Sequence, residues 1–292
     1  MQSMRVTTNS AKDDKKFSQR EFPMSDGDFS RIRALAKQKT GIELGDHKKE
    51  MIYSRIVRRI RALKLRDFAT YLNYLEDNLD TELTNFINAI TTNLTSFYRE
   101  SHHFDFLKQK AIPEMLKSKK SKRIRIWSAG CSTGEEPYSI AITLNGALPT
   151  NSGWNAKVLA TDLDTNVIEH GRAGIYTSER VGNLDPELVR KHFDIKSVNN
   201  AQHYEAKQKI KDYITFNRLN LLGKWPMSGK FDIIFCRNVV IYFSKDTQRT
   251  LFDRYADILE PNGYLIIGHS ETLHGVTDRF SSMGRTIYRK TH

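Results

Sequence analysis

Residues 123–139, RIRIWSAGCSTGEEPYS, decide the fold of this chain. An apolar run of strand length ends at Gly130, and a helical pattern follows within a few residues. The same alternation returns downstream, where KVLATDLD is followed by TNVIEHGRAG. Strands that alternate with helices are typical of a doubly wound α/β fold. The sequence therefore predicts an α/β domain in the second part of the chain.

The first part of the chain has a different pattern. Residues 1–24 are polar and charged and lack apolar periodicity, which indicates a flexible tail. The next segment repeats apolar residues at helical spacing, as in Ile52, Ile56 and Ile60, and shows no clear strand. The sequence thus predicts three regions, which are a tail over 1–24, a small all-α domain over 25–95 and the α/β domain over 96–292.

A weakly periodic stretch interrupts the α/β pattern at about residues 176–213. It is too long for a simple connection between a strand and a helix, which usually takes about two to six residues. We therefore expect an insertion that has secondary structure of its own.

The composition limits the class of protein. The 292 residues hold 46 Lys and Arg against 34 Asp and Glu, a formal net charge of +12, and 39% of them are hydrophobic. These values fit a globular protein with an anionic partner, which could be a nucleic acid, a membrane surface or an acidic protein. Only two cysteines occur, and no apolar run has the length of a membrane span, so we expect a reduced, cytoplasmic setting.

The loop GCSTG at residues 130–134 matches the G-x-S-x-G nucleophile elbow of serine hydrolases. Such an elbow needs an oxyanion-hole donor from an earlier strand, and only helices are predicted before this loop. His269 and His274 follow later in the chain, so residue order alone leaves a hydrolase open. In a doubly wound sheet, however, the loop after the first strand is where nucleotide-like ligands bind. We therefore favour a ligand-binding loop over a nucleophile at Ser132.

Acidic residues near this loop indicate the charge of the ligand. Glu135 and Glu136 start the following helix, where they would repel a phosphate. A glutamate there also complements the helix dipole, so we expect at least one of the two to contact the ligand. Asp162 ends the second strand, where a carboxylate accepts hydrogen bonds from ribose hydroxyl groups. S-adenosylmethionine carries an ammonium and a sulfonium and no phosphate, so it fits this combination.

Several segments resemble, in order and spacing, the chemotaxis receptor methyltransferases of the CheR type. They are TTNLTSFYRE, SAGCSTGEEPYSIAITL, ATDLDTNVIEHGRAGIY, FNRLNLL, FDIIFCRNVVIYF and GHSET, and the resemblance extends from about residue 25 to 290. It implies a small all-α domain followed by a Rossmann-like class I methyltransferase domain with a small β insertion. It also implies methylation of glutamate side chains on the cytoplasmic helices of chemoreceptors, with S-adenosylmethionine as the cofactor and no metal.

The resemblance further implies roles for individual residues. Those implied at the cofactor are Asn93, Thr95, Arg99, Glu135 or Glu136, Asp162, Asn220, Leu221, Arg237 and Asn238. Arg99 and Tyr242 are implied at the reaction centre, where hydrogen bonds from both would orient the incoming carboxylate. The implied products are glutamyl methyl esters and S-adenosylhomocysteine, and the enzyme is expected to be a monomer.

A basic stripe on the helix that starts at Asp46 suggests how the partner binds. By helical spacing the stripe lies roughly opposite the isoleucine face. Its members are Lys48, Arg55, Arg58, Arg59 and Arg66. Receptor methylation regions resemble acidic helical coiled coils, to which a basic helix would be attracted. We therefore expect this stripe, and above all Lys48, Arg55, Arg58 and Arg59, to dock the substrate.

Two other functions stay open from the sequence alone. The net charge favours a nucleic-acid methyltransferase, although the D/N-P-P-Y/F motif of amino-group methyltransferases is absent and CRNV stands in its place. A non-catalytic sensor of S-adenosyl ligands would keep the pocket at Asp162 but would not need both Arg99 and Tyr242.

Overall fold

The computed structural model describes residues 20–198 and 201–292. It divides into two compact units, Met1–Thr91 and Thr92–His292. Most of the predicted tail over residues 1–24 lies outside the described residues. Among the described helices, none is both long and apolar enough to cross a membrane.

The boundary between the units falls earlier than the sequence predicts. The prediction places it after residue 95, whereas the second unit begins at Thr92. The Asn93 side chain donates a hydrogen bond to Asp164, and the Asn93 carbonyl accepts one from Ser132. These two bonds fix the segment after Thr92 to the second unit.

The first unit is all-α in its described part. Its elements are α1 (Asp26–Thr40), a 3₁₀ turn (Asp46–Lys48), α2 (Lys49–Ala62), α3 (Phe68–Asp77) and α4 (Leu79–Ile90). Ser25 begins α1 with a capping box, because its hydroxyl and the Asp28 carboxylate accept each other's backbone N–H. Ile52, Ile56 and Ile60 are fully buried, as their spacing predicts, and α2 packs against α3 and α4.

The second unit alternates helices and strands. It begins with α5 (His102–Phe106), a π-helical turn (Leu107–Ala111), α6 (Ile112–Ser118), β1 (Arg123–Ala129), α7 (Glu135–Ala147), β2 (Asn155–Asp162) and α8 (Thr165–Ala173). The inserted elements are β3 (Ile175–Thr177), α9 (Ser178–Val181), α10 (Pro186–His192), β4 (Phe193–Val198), β5 (Ala201–Ala206) and α11 (Gln208–Lys211). The last elements are β6 (Ile214–Arg218), β7 (Phe231–Cys236), a 3₁₀ turn (Val240–Tyr242), α12 (Lys245–Ile258), β8 (Leu259–Ile267), β9 (Phe280–Ser282) and β10 (Ile287–Lys290).

The main sheet has seven strands in the order β6-β2-β1-β7-β8-β10-β9. The strands from β6 to β8 are parallel, and β10 runs antiparallel to both β8 and β9. Because β2 and β7 flank β1 on opposite sides, the strand order reverses at β1, and ligands of such sheets bind outside the carboxyl ends at this point. The predicted Rossmann-like α/β fold class is thereby confirmed.

The insertion forms a small sheet of its own. Its strand order is β3-β5-β4, and both pairings are antiparallel. Short helices α9 and α10 lie between β3 and β4 in the chain. Phe193 and Tyr176 of this sheet are buried in an aromatic cluster with Phe97. Burial of large aromatic side chains therefore fastens the insertion to the methyltransferase unit.

Strand β1, at the centre of the main sheet, carries buried apolar side chains. Ile124, Ile126 and Trp127 are fully buried. The Trp127 Nε1 donates to the Thr161 hydroxyl at 2.9 Å, which satisfies its one buried polar atom. Such packing makes the carboxyl end of β1 a rigid base for the loop that follows.

Candidate cofactor and active site

The loop after β1 connects the carboxyl ends of β1 and β2. The backbone N–H groups of Gly130 and Cys131 donate to the Thr161 carbonyl at 2.8 and 2.9 Å. The Ser132 N–H donates to the Asp162 carboxylate at 2.9 Å. The loop is thus fixed directly at the point where the strand order reverses.

Ser132 is held as a structural residue of this loop. It is buried, and its hydroxyl donates to the Asn93 carbonyl at 2.9 Å. A serine nucleophile needs its hydroxyl paired with a general base, and neither the Asn93 carbonyl nor Asp162, which binds the Ser132 backbone, is placed to deprotonate it. The geometry therefore supports the ligand-binding interpretation of the loop over the hydrolase one.

Gly130 and Gly134 are required by close packing within the protein. Both have left-handed backbones, with φ of 95° and 102°. A Cβ on Gly130 would lie 2.4 Å from Val239 Cγ2, and one on Gly134 would lie 2.9 Å from the Cα of Gly171. The glycines therefore let the loop pack between the segment after β7 and helix α8.

Asp162 presents a partly buried carboxylate at the end of β2. It accepts backbone hydrogen bonds from Ser132 at 2.9 Å and Asp164 at 3.1 Å. Burial raises the pKa of Asp162 to about 6. An ionised carboxylate has about four lone-pair positions, so Asp162 keeps acceptors for ligand hydroxyl groups.

The predicted residues Asn220 and Leu221 lie close to Asp162. They follow β6, and the N–H of the preceding Leu219 donates to the Asp162 carbonyl at 2.9 Å. The Asn220 side chain accepts from the Leu222 N–H at 2.9 Å, which closes a tight turn. Asn93 reaches the same edge through its bond to Asp164 at 2.8 Å, and Thr95 follows it in the same segment.

Glu135 and Glu136 are both paired with arginines of the protein. Glu135 is fully buried, forms an ion pair with Arg180 of the insertion and accepts from the Thr133 hydroxyl at 2.6 Å. Glu136 accepts from the Ser128 hydroxyl at 2.7 Å and from Arg237 at 2.9 Å. These arginines offset the charges of the two glutamates, so the expectation that one of them contacts a cationic ligand stays a prediction.

Arg237 lies inside the protein, with 2% of its side chain exposed. Besides Glu136, it donates to the Arg99 carbonyl, and its Nη2 lies 3.4 Å from Glu100 Oε2. The predicted contact between the Arg237 side chain and the cofactor is therefore not supported. The guanidinium instead joins the end of β7 to α7 and to the segment that carries Arg99.

The two predicted catalytic residues lie near enough for the charge of Arg99 to act on Tyr242. Arg99 is partly exposed, and its guanidinium donates to the Leu94 carbonyl at 2.9 Å. Tyr242 ends the 3₁₀ turn after β7. Burial raises the pKa of the Tyr242 hydroxyl, while the positive charge of Arg99 acts in the opposite direction. Tyr242 therefore stays a neutral hydrogen-bond donor at pH 7 within the field of Arg99.

Glu271, in the loop after β8, is a residue whose role the sequence leaves undecided. Its carboxylate is buried and accepts hydrogen bonds from the backbone between Asn238 and Ile241 and from Gly268. Asn238, a predicted cofactor residue, has a left-handed backbone with φ of 59°. The signal for Glu271 in the sequence is the motif GHSET, which does not show what the glutamate contacts.

The predicted docking stripe is largely occupied by contacts within the first unit. Lys48 is buried and lies in the 3₁₀ turn that precedes α2. Arg55 donates to the carbonyls of Thr91 and Ala89 at the end of α4, and Arg59 pairs with Glu82. The packing of α2 against α4 turns this side inward. The remaining members of the stripe, Arg58 and Arg66, are exposed.

A cluster near Arg237 has the composition of a metal site. Within the described part of the chain, Glu100, His102 and His103 form a group whose ligand atoms lie within 4.8 Å of one another. Arg237 already places a cation 3.4 Å from Glu100 Oε2, and Glu100 Oε1 lies 2.9 Å from His269 Nδ1. The Glu100 carboxylate therefore lies between Arg237 and His269.

The residues at this edge of the sheet fit S-adenosylmethionine. The cofactor has ribose hydroxyl groups that donate and an amino-acid carboxylate that accepts. Asp162 offers acceptors for the hydroxyl groups, and Arg99 offers guanidinium donors for the carboxylate. The donor set therefore suits the cofactor that the sequence predicts.

Two family models match the chain. The model of the CheR methyltransferase all-alpha domain matches residues 27–91. The model of the CheR methyltransferase SAM binding domain matches residues 93–289. Together they cover both units of the structure and confirm the family that the sequence predicts.

Curated chemotaxis methyltransferases are similar in sequence to this protein over nearly its whole length. The chemotaxis protein methyltransferase of Escherichia coli (strain K12) is 45% identical over 268 residues, which cover 91% of each chain. That of Salmonella typhimurium is 45% identical over 268 residues, 91% of this chain and 90% of its own. Chemotaxis protein methyltransferase 2 of Pseudomonas aeruginosa is 40% identical over 273 residues, 93% of this chain and 96% of its own. The chain belongs to the CheR family of S-adenosylmethionine-binding methyltransferases.

Proposed function

We propose that this protein transfers the methyl group of S-adenosylmethionine to glutamate side chains on the cytoplasmic helices of chemoreceptors. The products are glutamyl methyl esters and S-adenosylhomocysteine. The single observation that supports the proposal is that the charge of Arg99 acts on the hydroxyl group of Tyr242, which lies on the turn after β7. The names of the curated relatives, which are chemotaxis protein methyltransferases, support the pathway.

The chemistry needs positioning more than proton transfer. The bound cofactor would supply an electrophilic methyl group on a positively charged sulfur. A glutamate carboxylate has a reference pKa of about 4.3, so it is ionised at pH 7 and needs no general base. Tyr242, whose pKa is raised by burial, keeps its proton and can donate to the carboxylate. Arg99 adds charged donors, so the two side chains can fix the direction of the attacking oxygen.

The strength of the contact with Arg99 matters for the rate. A tight ion pair would stabilise the free carboxylate more than the transition state, in which its charge is dispersed. The Arg99 guanidinium is partly engaged by the Leu94 carbonyl, which limits how far it reaches toward the substrate. Arg99 is therefore expected to orient the carboxylate rather than to activate it.

The cofactor would be held by residues around the end of β2. Asp162 would accept from the ribose hydroxyl groups, with Asn220 and Leu221 next to it and Asn93 and Thr95 at the opposite side of the loop. These residues derive from three separate chain segments that the backbone contacts of Asp162 and the bonds of Asn93 bring together. Exclusion of water around the reacting groups would favour a reaction in which two opposite charges neutralise each other.

The all-α unit would dock the receptor through a smaller basic surface than the stripe predicted from sequence. Arg58 and Arg66 are the exposed members of that stripe, and acidic receptor helices would be attracted to them. We place the enzyme in the cytoplasm, because the receptor regions it would modify are cytoplasmic, and we keep the expectation that it acts as a monomer.

The test is transfer of a radiolabelled methyl group from S-adenosylmethionine to a receptor cytoplasmic fragment or to RNA. We expect label on the protein fragment that mild base releases as methanol, because glutamyl methyl esters hydrolyse in base. The Tyr242→Phe variant keeps the aromatic ring and loses the hydroxyl donor. It should transfer the methyl group to the receptor fragment far more slowly than the wild-type enzyme. Label on RNA alone would overturn the proposal, and binding of the cofactor without any transfer would favour a sensor.

A further inference from the structure

We propose that Glu271 and Gln248 form a clamp on residues 238–243 that positions the Tyr242 hydroxyl for the reaction. The clamp holds the segment from two sides, with Glu271 accepting from its N–H groups and Gln248 donating to its carbonyl groups. Both are positioning residues, since they act through Tyr242. The inference rests on the role proposed for Tyr242 above.

Glu271 holds the first half of the segment. Its Oε1 accepts from the N–H groups of Val239 and Val240 at 2.9 Å each and of Ile241 at 3.3 Å. Its Oε2 accepts from Asn238 at 3.0 Å. The N–H groups at the start of a helix have no partners within the helix, so a buried carboxylate there satisfies several at once.

The same carboxylate also holds the end of β8. Glu271 Oε2 accepts from the Gly268 N–H at 2.6 Å, so one side chain joins two neighbouring strand ends. A Cβ on Gly268 would lie 2.8 Å from the Asn238 backbone nitrogen, which shows how closely the two segments pack. The segment cannot move without breaking bonds to both oxygens of Glu271.

Gln248 holds the second half of the segment from α12. Its side-chain amide is buried and donates to the carbonyls of Val240 at 2.9 Å and Phe243 at 3.0 Å. These carbonyls lie on either side of Tyr242 in the chain. A single side chain thus fixes the backbone before and after the tyrosine.

The segment needs external support because its own structure is weak. Val240–Tyr242 is a 3₁₀ turn of three residues, and Asn238 before it has a left-handed backbone. Short 3₁₀ turns have poor hydrogen-bond geometry and little stability of their own. A tyrosine on such a turn would otherwise vary in position, and a shift of about 1 Å at a reaction centre can lower a rate by about 10²-fold.

Two nearly isosteric substitutions in the full-length enzyme separate the two halves of the clamp. Gln248→Glu turns an amide donor into a carboxylate that faces two carbonyls. Glu271→Gln places an amide NH₂ against backbone N–H groups whichever way the amide is oriented. For Gln248→Glu we expect kcat to fall by about 10²-fold, with the Kd for S-adenosylhomocysteine within about threefold of wild type. For Glu271→Gln we expect the same loss in kcat and a weaker Kd, because Asn238 is also released.

A double-mutant cycle with Tyr242→Phe tests whether the clamp acts through the hydroxyl. When Gln248→Glu is added to Tyr242→Phe, kcat should fall by less than about threefold relative to the Tyr242→Phe enzyme. A merely structural role would give the same loss in both backgrounds, and that result would overturn the proposal. So would a Tyr242→Phe enzyme with full kcat, or a folded Gln248→Glu enzyme with full kcat.

Two further variants keep the test informative if a substitution impairs folding. Gln248→Met removes the donor and adds no charge, so it should show the same cycle with a smaller loss. Asp246→Asn lies on the same helix with a side chain 92% exposed, and it should keep the kcat and melting temperature of wild type. Loss of base-labile transfer to the receptor in every form, wild type included, would point to a failure of the proposed substrate instead.

Discussion

Helix α2 and the end of β7 both carry arginines that the sequence assigns to binding, and the structure uses them in similar ways. Arg59 of α2 pairs with Glu82, whose side chain is 1% exposed, and Arg237 pairs with the buried Glu136. In each region a neighbouring arginine, Arg58 or Arg99, keeps exposed surface instead. A count of positive charges in the sequence cannot separate the paired arginines from the exposed ones. The difference depends on whether the fold places a glutamate next to the arginine.

The two ion pairs differ in the number of hydrogen bonds that the glutamate accepts. Glu82 accepts two hydrogen bonds from Arg59, at 2.7 and 2.6 Å, one from Tyr71 at 3.2 Å and one from Asn85 at 3.2 Å. Glu136 has two described partners, Ser128 and Arg237. The first pair lies wholly within the all-α unit, whereas the second supports the segment with Arg99. Substitution in the first region should therefore change stability, and substitution in the second should change catalysis.

The largest expected effect is on stability, from Arg59→Met. Removal of Arg59, whose side chain is 29% exposed, takes two of the four described hydrogen bonds from the buried Glu82 carboxylate, and such a loss typically costs about 1–3 kcal/mol. Hydrogen exchange of amides in α2 and α4 should show a free energy of local unfolding lower by that amount. Arg58→Met, on the same helix but exposed, is the matched control and should cost about 0.5 kcal/mol or less. Equal costs for the two variants would contradict a stabilising role for the contact between Arg59 and Glu82.

Much of the fold and part of the site can be predicted from the sequence, for identifiable reasons. The strand and helix pattern around Gly130 places the loop in the sheet, and the acid at a strand end identifies Asp162. The pairings of Glu135 with Arg180 and of Glu136 with Arg237 cannot be read from the pattern, because the partners are about 45 and 101 positions apart in the chain. Only the tertiary fold decides such contacts.

The stripe on α2 shows a second limit of sequence reasoning. The helical spacing correctly predicts that the isoleucines are buried, because an apolar face is stable only in the protein interior. It does not show that a second side of α2 packs on α4, since the residues there are arginines. Long basic side chains can lie at a contact between helices when carboxylates or backbone carbonyls accept their hydrogen bonds. Here Glu82 accepts from Arg59, and the Thr91 carbonyl accepts from Arg55.

The next effect concerns the pH dependence of cofactor binding. Because the pKa of Asp162 is raised to about 6, its carboxylate is protonated below that pH and loses acceptors for hydroxyl groups. Ionisation falls about tenfold per pH unit below the pKa, so the Kd for S-adenosylhomocysteine should be about tenfold higher at pH 5 than at pH 7 or above. Calorimetric titration at several pH values measures this.

The stability of the ligand-free protein should change with pH in the opposite direction to the binding of the cofactor. A carboxyl group whose pKa is higher in the folded state than in the unfolded state stabilises the fold at low pH, and this contribution is lost as the pH rises through about 6. Asp162→Asn should remove both dependences and weaken binding at neutral pH. A Kd that does not vary between pH 5 and 8 in the wild-type enzyme would contradict the role of Asp162.

The smallest expected effect is on receptor docking, from Arg58→Glu. Exposed charges contribute up to about 1 kcal/mol each, so reversal of one should raise the KM for a receptor fragment by about three- to tenfold. The Kd for S-adenosylhomocysteine and the melting temperature should not change, because Arg58 is exposed and its described hydrogen bond is to the Ser54 carbonyl of its own helix. The increase in KM should shrink at high salt, since screening weakens exposed charges.

The control for this variant is Lys120→Glu, an exposed lysine of the other unit with the same change in charge. If the net charge of +12 alone attracts the receptor, both variants should raise KM equally. If α2 is the docking surface, only Arg58→Glu should raise it. An equal response would contradict a docking role for α2.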